Sequence, residues 1–101
     1  MRAVDNLLLE RWRSMDLAKF LAEIADYVKA DPDFHPRKDS RTMRWFATVD
    51  GHEFSLVITG TKFFDDHTNA HGGGAIDLAM HLWGGSFNST VKRMKTLNLL
   101  L

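Results

Sequence analysis

Two alternating stretches joined by Asp50-Gly51 constrain this chain more than any other feature of it. Met43, Trp45, Ala47 and Val49 point to one side of an extended segment, and Arg44, Phe46 and Thr48 point to the other. Residues 53–59 alternate again, with Phe54, Leu56 and Ile58 on a single face. Asp50-Gly51 is a two-residue hairpin signal, because a type I′ turn needs positive φ at both central positions. Gly60 ends the second strand and residues 62–65 form a short third one, so the expected unit is a three-stranded antiparallel meander. Alternation also means that only one of Trp45 and Phe46 can belong to the core.

Helical patterns flank this unit. Residues 4–13 carry Leu7, Leu8 and Trp12 as a narrow apolar stripe. Ser14 or Asp16 is placed to cap a second helix over residues 16–30, whose Leu17, Phe20, Leu21, Ile24, Tyr27 and Val28 recur at spacings of three and four. Asp31-Pro32 stops it, since the residue before proline is pushed out of the α region. Residues 32–41 hold both prolines and read as a loop. After the loop at 66–74, Ala75, Ile76, Ala79, Met80 and Leu82 return to helical spacing, and Gly84-Gly85 terminate the helix. Ser86 caps a last helix with Phe87, Val91, Met94 and Leu97 on its buried side. The fold class is α+β: a helical N-terminal part over residues 1–31 and a sheet-and-helix core over 43–97, in one domain spanning 1–101.

Composition narrows the chemistry. At 101 residues, 45% of them hydrophobic, the chain can build one core without staples. The absence of cysteine excludes disulfides, thiol catalysis and thiolate metal sites. No apolar run reaches the ~20 residues of a membrane span and no signal-peptide pattern opens the chain, so a cytoplasmic location is expected. Thirteen basic and thirteen acidic side chains cancel. Their distribution is uneven: residues 35–49 carry four basic groups against one acid, residues 86–101 three against none, and residues 50–85 one lysine against five acids.

Candidate sites follow from this distribution. His67 and His71 lie near Asp65 and Asp66, an imidazole–carboxylate mixture of the kind that ligates zinc or manganese. Two plausible ligands fall short of the four that a structural zinc needs, so neither a metal nor another cofactor is expected. Solvated loop histidines are the plainer reading, and His35, His52 and His81 stand isolated. Asp65 and Asp66 are adjacent and should face opposite ways. Gly72-Gly73-Gly74 opens a helix, where backbone amides can hold an anion or simply let the loop turn tightly. No nucleophile elbow and no role-fixing carboxylate pair is present, so catalysis is not expected. What remains is a basic and aromatic surface: Arg41, Arg44, Trp45, Phe46, Lys62 and Phe64. Such a mixture suits single-stranded nucleic acid, with cations for phosphates and rings for unstacked bases. Against that stands the plainer reading of core aromatics and solvated arginines.

Residues 62–87, KFFDDHTNAHGGGAIDLAMHLWGGSF, resemble the zinc-finger domain of bacterial replicative primases. That family ends its zinc ribbon with an aromatic strand, a paired-cysteine knuckle and a glycine-rich segment. A helix reading roughly Gly-Asp-x-Ile-x-Phe follows, then a second with a Phe-x-x-Ala-Val-like pattern. Phe63-Phe64 match the aromatic strand, Gly72 to Gly74 the glycines, Ile76 to Leu78 the helix start, and Phe87 and Val91 the second helix. The chain looks closer still to the cysteine-free versions in proteins of plasmids and integrative elements, where such a segment precedes a Toprim or related primase-like region. The match runs from Met43 to Phe87.

The zinc ligands of the family have no counterparts here, near 45–51 or near 65–68. The resemblance therefore implies a zinc-ribbon-like meander without zinc. Loss of a structural zinc removes much of a small domain's folding energy. Trp45, Phe46, Phe63, Phe64 and Trp83 are the expected hydrophobic substitute.

The resemblance also implies a non-catalytic, DNA-associated role in a mobile-element replication or transfer protein. A Toprim, primase or helicase partner would adjoin it. Carried onto this sequence, the strand surface facing single-stranded template comprises Arg41, Arg44, Lys62, Phe64, His67 and His71. Gly73 would bring a backbone amide to a phosphate. An alternative is a protein-interaction module that keeps the fold without DNA contact, favoured by the zero net charge and by Leu99, Leu100 and Leu101, which suggest a partner, a second copy of the chain or a longer chain. A small metal-dependent enzyme using His67, His71 and Asp65 is a third reading.

Overall fold

The computed structural model describes residues 6–97. Val4, Asp5 and the terminal leucines 99–101 lie outside them. Two helices, α1 (Asn6–Ser14) and α2 (Leu17–Ile24), precede five strands, and two more helices follow. The strands are β1 (Tyr27–Ala30), β2 (Met43–Val49), β3 (His52–Thr59), β4 (Lys62–Asp65) and β5 (His71–Gly73); the closing helices are α3 (Ala75–Trp83) and α4 (Phe87–Thr96). The sheet order is β1-β2-β3-β4-β5, with every neighbouring pair antiparallel.

The α+β class holds, and the central hairpin is as expected: Asp50 and Gly51 have φ of 51° and 81°, and Trp45 pairs with Leu56. The strand count does not. Five strands replace the expected three, and each addition has a local cause. The helix expected over 16–30 ends at Ile24, because Ala25 is extended (φ −75°, ψ 144°) and Tyr27–Ala30 joins the edge of β2. Strand pairing hands the polypeptide a second partner there: Asp26 N–H donates to Thr48 O at 2.8 Å and Asp31 N–H to Arg44 O at 2.9 Å. Tyr27, expected in the core, is 57% exposed. At the other edge the glycines pair with β4. A Cβ on Gly72 would lie 3.0 Å from Phe63 Cε1 and 3.1 Å from Asp77 Oδ2, so a side chain there would require both neighbours to give way for β5 to pack this closely.

The helices cover one face of the sheet. Trp12, Leu17, Phe20 and Leu21 meet Ala47, Val49, Leu56, Ile58 and Phe63 from the strands. Ala75, Ile76, Leu78, Ala79 and Leu82 of α3, with Val91 and Met94 of α4, complete the core. Asp16, not Ser14, caps α2 by accepting from Lys19 N–H at 3.1 Å; the Ser14 hydroxyl turns back to Glu10 O. Ser86 caps α4 as expected, accepting from Ser89 N–H at 3.1 Å. Three apolar residues expected in the core stand outside it: Leu7, Phe87 and Leu97 are each about half exposed (58%, 43% and 47%). In α4, Val91 and Met94 are buried as expected, and Thr90 is buried with them.

Candidate nucleic-acid interface

Among the described residues the opposite face of the sheet carries no helix, and strand register arranges its side chains in rows. His71, Phe64, Val57 and Arg44 form one row, through the pairs Phe64–His71, Val57–Phe64 and Arg44–Val57. Gly73, Lys62 and Thr59 form the row beside it, towards the β3–β4 turn. Beyond, Ser55, Phe46 and Lys29 align, then Glu53, Thr48 and Tyr27. Phe46, Phe64 and Tyr27 are the exposed rings of this face, at 41%, 38% and 57%. Trp45 faces the core, which resolves the either-or between Trp45 and Phe46. Of the five aromatics expected to replace the zinc, Phe63, Trp45 and Trp83 pack inward, while Phe46 and Phe64 do not. Alternation forbids it.

Two of the three expected cations are already neutralised. Arg41 sets Nη2 at 2.8 Å and Nε at 3.1 Å from the Asp39 carboxylate, and its own N–H donates there at 2.9 Å. Those bonds hold Asp39 at a pKa of about 2. Arg44 lies between two loops, with Nε 3.0 Å from Asp66 Oδ2 and Nη1 3.3 Å from Asp31 Oδ2. Its guanidinium also sits 5.2 Å from the centroid of Phe34. Lys62 is exposed and makes no ion pair among the described residues, and the same is true of Lys29, which the helical reading of 16–30 concealed. A hollow of about 460 Å³ at the β3–β4 turn brings Arg41 and Lys62 together with Asp39, Thr59, Gly60 and Thr61. A second groove, about 320 Å³, runs between Tyr27, Phe46, Thr48, Glu53 and His67.

The amides of Gly73 and Gly74 have partners within the fold. Gly73 N–H donates to Asp77 Oδ2 at 3.2 Å and Gly74 N–H to Thr61 O at 2.7 Å, so helix entry uses both. Asp65 and Asp66 diverge as their adjacency requires. Asp66 goes to Arg44, while Asp65 turns inward and takes His81 Nε2 at 2.6 Å, His67 N–H at 2.9 Å and Thr68 N–H at 3.3 Å. Burial pushes the Asp65 carboxyl up, and the His81 bond with the two amides outweighs it, leaving its pKa below the usual carboxylate value. The His81 ring stacks on Phe63 at 5.8 Å and meets Phe54 edge-on at the same distance. His67, His71 and Asp65 do not converge, and no group of three His, Asp or Glu among the described residues is close enough to share a metal ion.

The Asp65–His81 pair escaped the sequence because the partners are sixteen residues apart and meet only through the register of β4 against α3. No helix among the described residues is long and apolar enough to cross a membrane. No family model, curated protein or solved structure matches the chain.

Proposed function

We propose that the chain is a non-catalytic, cytoplasmic module that binds single-stranded DNA through its helix-free sheet face, serving a replication or transfer protein of a mobile element. One observation carries the reading: Lys62, Phe64 and His71 adjoin on β4 and β5 with Phe46 and Tyr27 exposed on the same face, so an unpaired cation and open rings share one surface. Backbone phosphates need the first and unstacked bases the second. The likeness of residues 62–87 to primase zinc-finger domains supports the DNA role and a primase-like or helicase partner.

A protein-interaction module is the second reading, favoured by Arg41 and Arg44 being neutralised and by Glu53 lying in the groove between the rings. Fluorescence anisotropy with labelled single-stranded oligonucleotides at two salt concentrations separates the two. DNA binding is expected to weaken with salt in proportion to the phosphates contacted. No binding at the lower salt, with a protein recovered on the same face, selects the second reading.

A further inference from the structure

The groove of about 320 Å³ on the helix-free face holds a carboxylate that phosphate binding leaves unused. Tyr27 bounds it from β1 and His67 from the β4–β5 loop, with Phe46, Thr48 and Glu53 between. Strand register fixes the arrangement: Glu53 pairs with Thr48 and Thr48 with Tyr27, while Phe46 pairs with Lys29 in the next row. The loop meets the sheet where Asp66 N–H donates to Ser55 O at 3.3 Å, which sets His67 beside the groove. Its volume falls at the small end of the range for ligand pockets, so it suits a single planar group.

Glu53 decides what that group must carry. Its side chain is exposed and makes no hydrogen bond or ion pair among the described residues. A carboxylate accepts and cannot donate, so whatever enters beside it must present a donor. Phe46 and Tyr27 are exposed and offer rings to a flat group. A flat cation would be repelled by Lys29 in the next row, whereas a neutral ring on an anionic backbone would find there a partner for its phosphate. Bases with an exocyclic amine (cytosine, adenine and guanine) meet all three conditions. Thymine has its O4 acceptor where cytosine has its N4 amine, and a carboxylate repels it.

We infer that this groove admits one unstacked base and selects those carrying an exocyclic amine over thymine, with Glu53 accepting from the amine and the Phe46 and Tyr27 rings holding the base. The inference rests on the proposed binding of single-stranded DNA and adds a base preference to it. It also gives Glu53 a use that it lacks on a surface reading phosphates alone.

The test is a fluorescence anisotropy titration with labelled oligo(dC) and oligo(dT) of equal length, at one low salt concentration and neutral pH. The two pyrimidines are alike in size, so their difference reports the edge that Glu53 reads. The parent should bind oligo(dC) about tenfold more tightly, the value of one hydrogen bond to a charged acceptor. Glu53→Gln keeps the shape, and its amide can turn either an oxygen or an N–H to the base. The preference should then fall to near parity, chiefly through tighter oligo(dT) binding. Lys29→Ala should weaken both oligonucleotides alike and leave their ratio unchanged. A parent that binds oligo(dT) as well as or better than oligo(dC), or a preference that Glu53→Gln leaves intact, would overturn the inference while the DNA reading stands. Binding of neither oligonucleotide by the parent would overturn both and leave the groove to a basic side chain of a protein partner.

Discussion

Asp65 is 1% exposed, between the sheet and α3, and three donors keep its charge there. Its folded pKa lies below the unfolded one, so on acidification the unfolded chain takes up this proton first. More protons bound in the unfolded state means that stability rises with pH across this window. The contribution is complete above the ordinary aspartate value, about pH 4, and is lost as pH falls through the lower folded value. Asp65→Asn should cost about 1–3 kcal/mol at neutral pH and flatten the acid limb of a stability–pH profile measured by urea unfolding. Equal acid limbs in both proteins would remove Asp65 from the account. Arg44 acts in the same way across the outer face, tying the 31–42 loop and the β4–β5 loop to β2. Asp66 Oδ1 is already buried without a partner, so Arg44→Ala strips that carboxylate of its ion pair and should cost about 2–3 kcal/mol in the same assay. A sequence shows the residue types for such pairs but not the strand register that joins them. Arg44 therefore read as a free cation when it is a structural one.

At the level of elements, the alternating β2–β3 hairpin was legible because Asp50-Gly51 and the two-residue period specify the same register independently. The stretch 25–30 was not. Tyr27 and Val28 stand three and four residues after Ile24, a spacing that continues the helical stripe of Phe20, Leu21 and Ile24 and is equally compatible with a strand once α2 has ended. The free edge of β2 decides it, and that edge is invisible locally. The triple glycine was ambiguous for a related reason, since its function depends on what packs against it. Gly74 has φ of 88°, and a Cβ there would meet Arg13 Cα at 3.4 Å, whereas Gly51, at 81°, faces open space. Both positions penalise alanine for its conformation, by about 1–2 kcal/mol. Gly74→Ala should lower the thermal midpoint more than Gly51→Ala, because φ 88° with ψ 158° at Gly74 is a backbone region essentially closed to residues that carry a Cβ. Identical losses would show that the ψ at Gly74 adds no strain.

For the whole molecule, the helix layer and the bare face divide the aromatic residues into two energetic classes. Trp45 packs against the core, and Trp45→Ala should cost about 3 kcal/mol or more, while Phe46→Ala, on the bare face, should stay within about 0.5 kcal/mol. If packing does the work of a coordinated ion, a chelator should leave the unfolding curve unchanged; a shifted curve would show that an ion contributes. The same division governs binding. Lys62 carries a net charge to the sheet surface, whereas the charges of Arg41 and Arg44 are returned by Asp39, Asp31 and Asp66. If the face binds single-stranded DNA, Lys62→Ala should lower the slope of log affinity against log salt by about 0.7, the counterion share of one single-strand phosphate. Arg41→Ala should lower it by less, and Arg44→Ala should show itself in stability. Phe64→Ala should reduce affinity by about 1–3 kcal/mol and leave the slope alone, since a stacked base displaces no counterion. These variants make a two-way pattern, slope against affinity, that a merely sticky surface does not produce. Slopes unchanged by Lys62→Ala, with affinity unchanged by Phe64→Ala, would take DNA off this face and leave it to a protein partner.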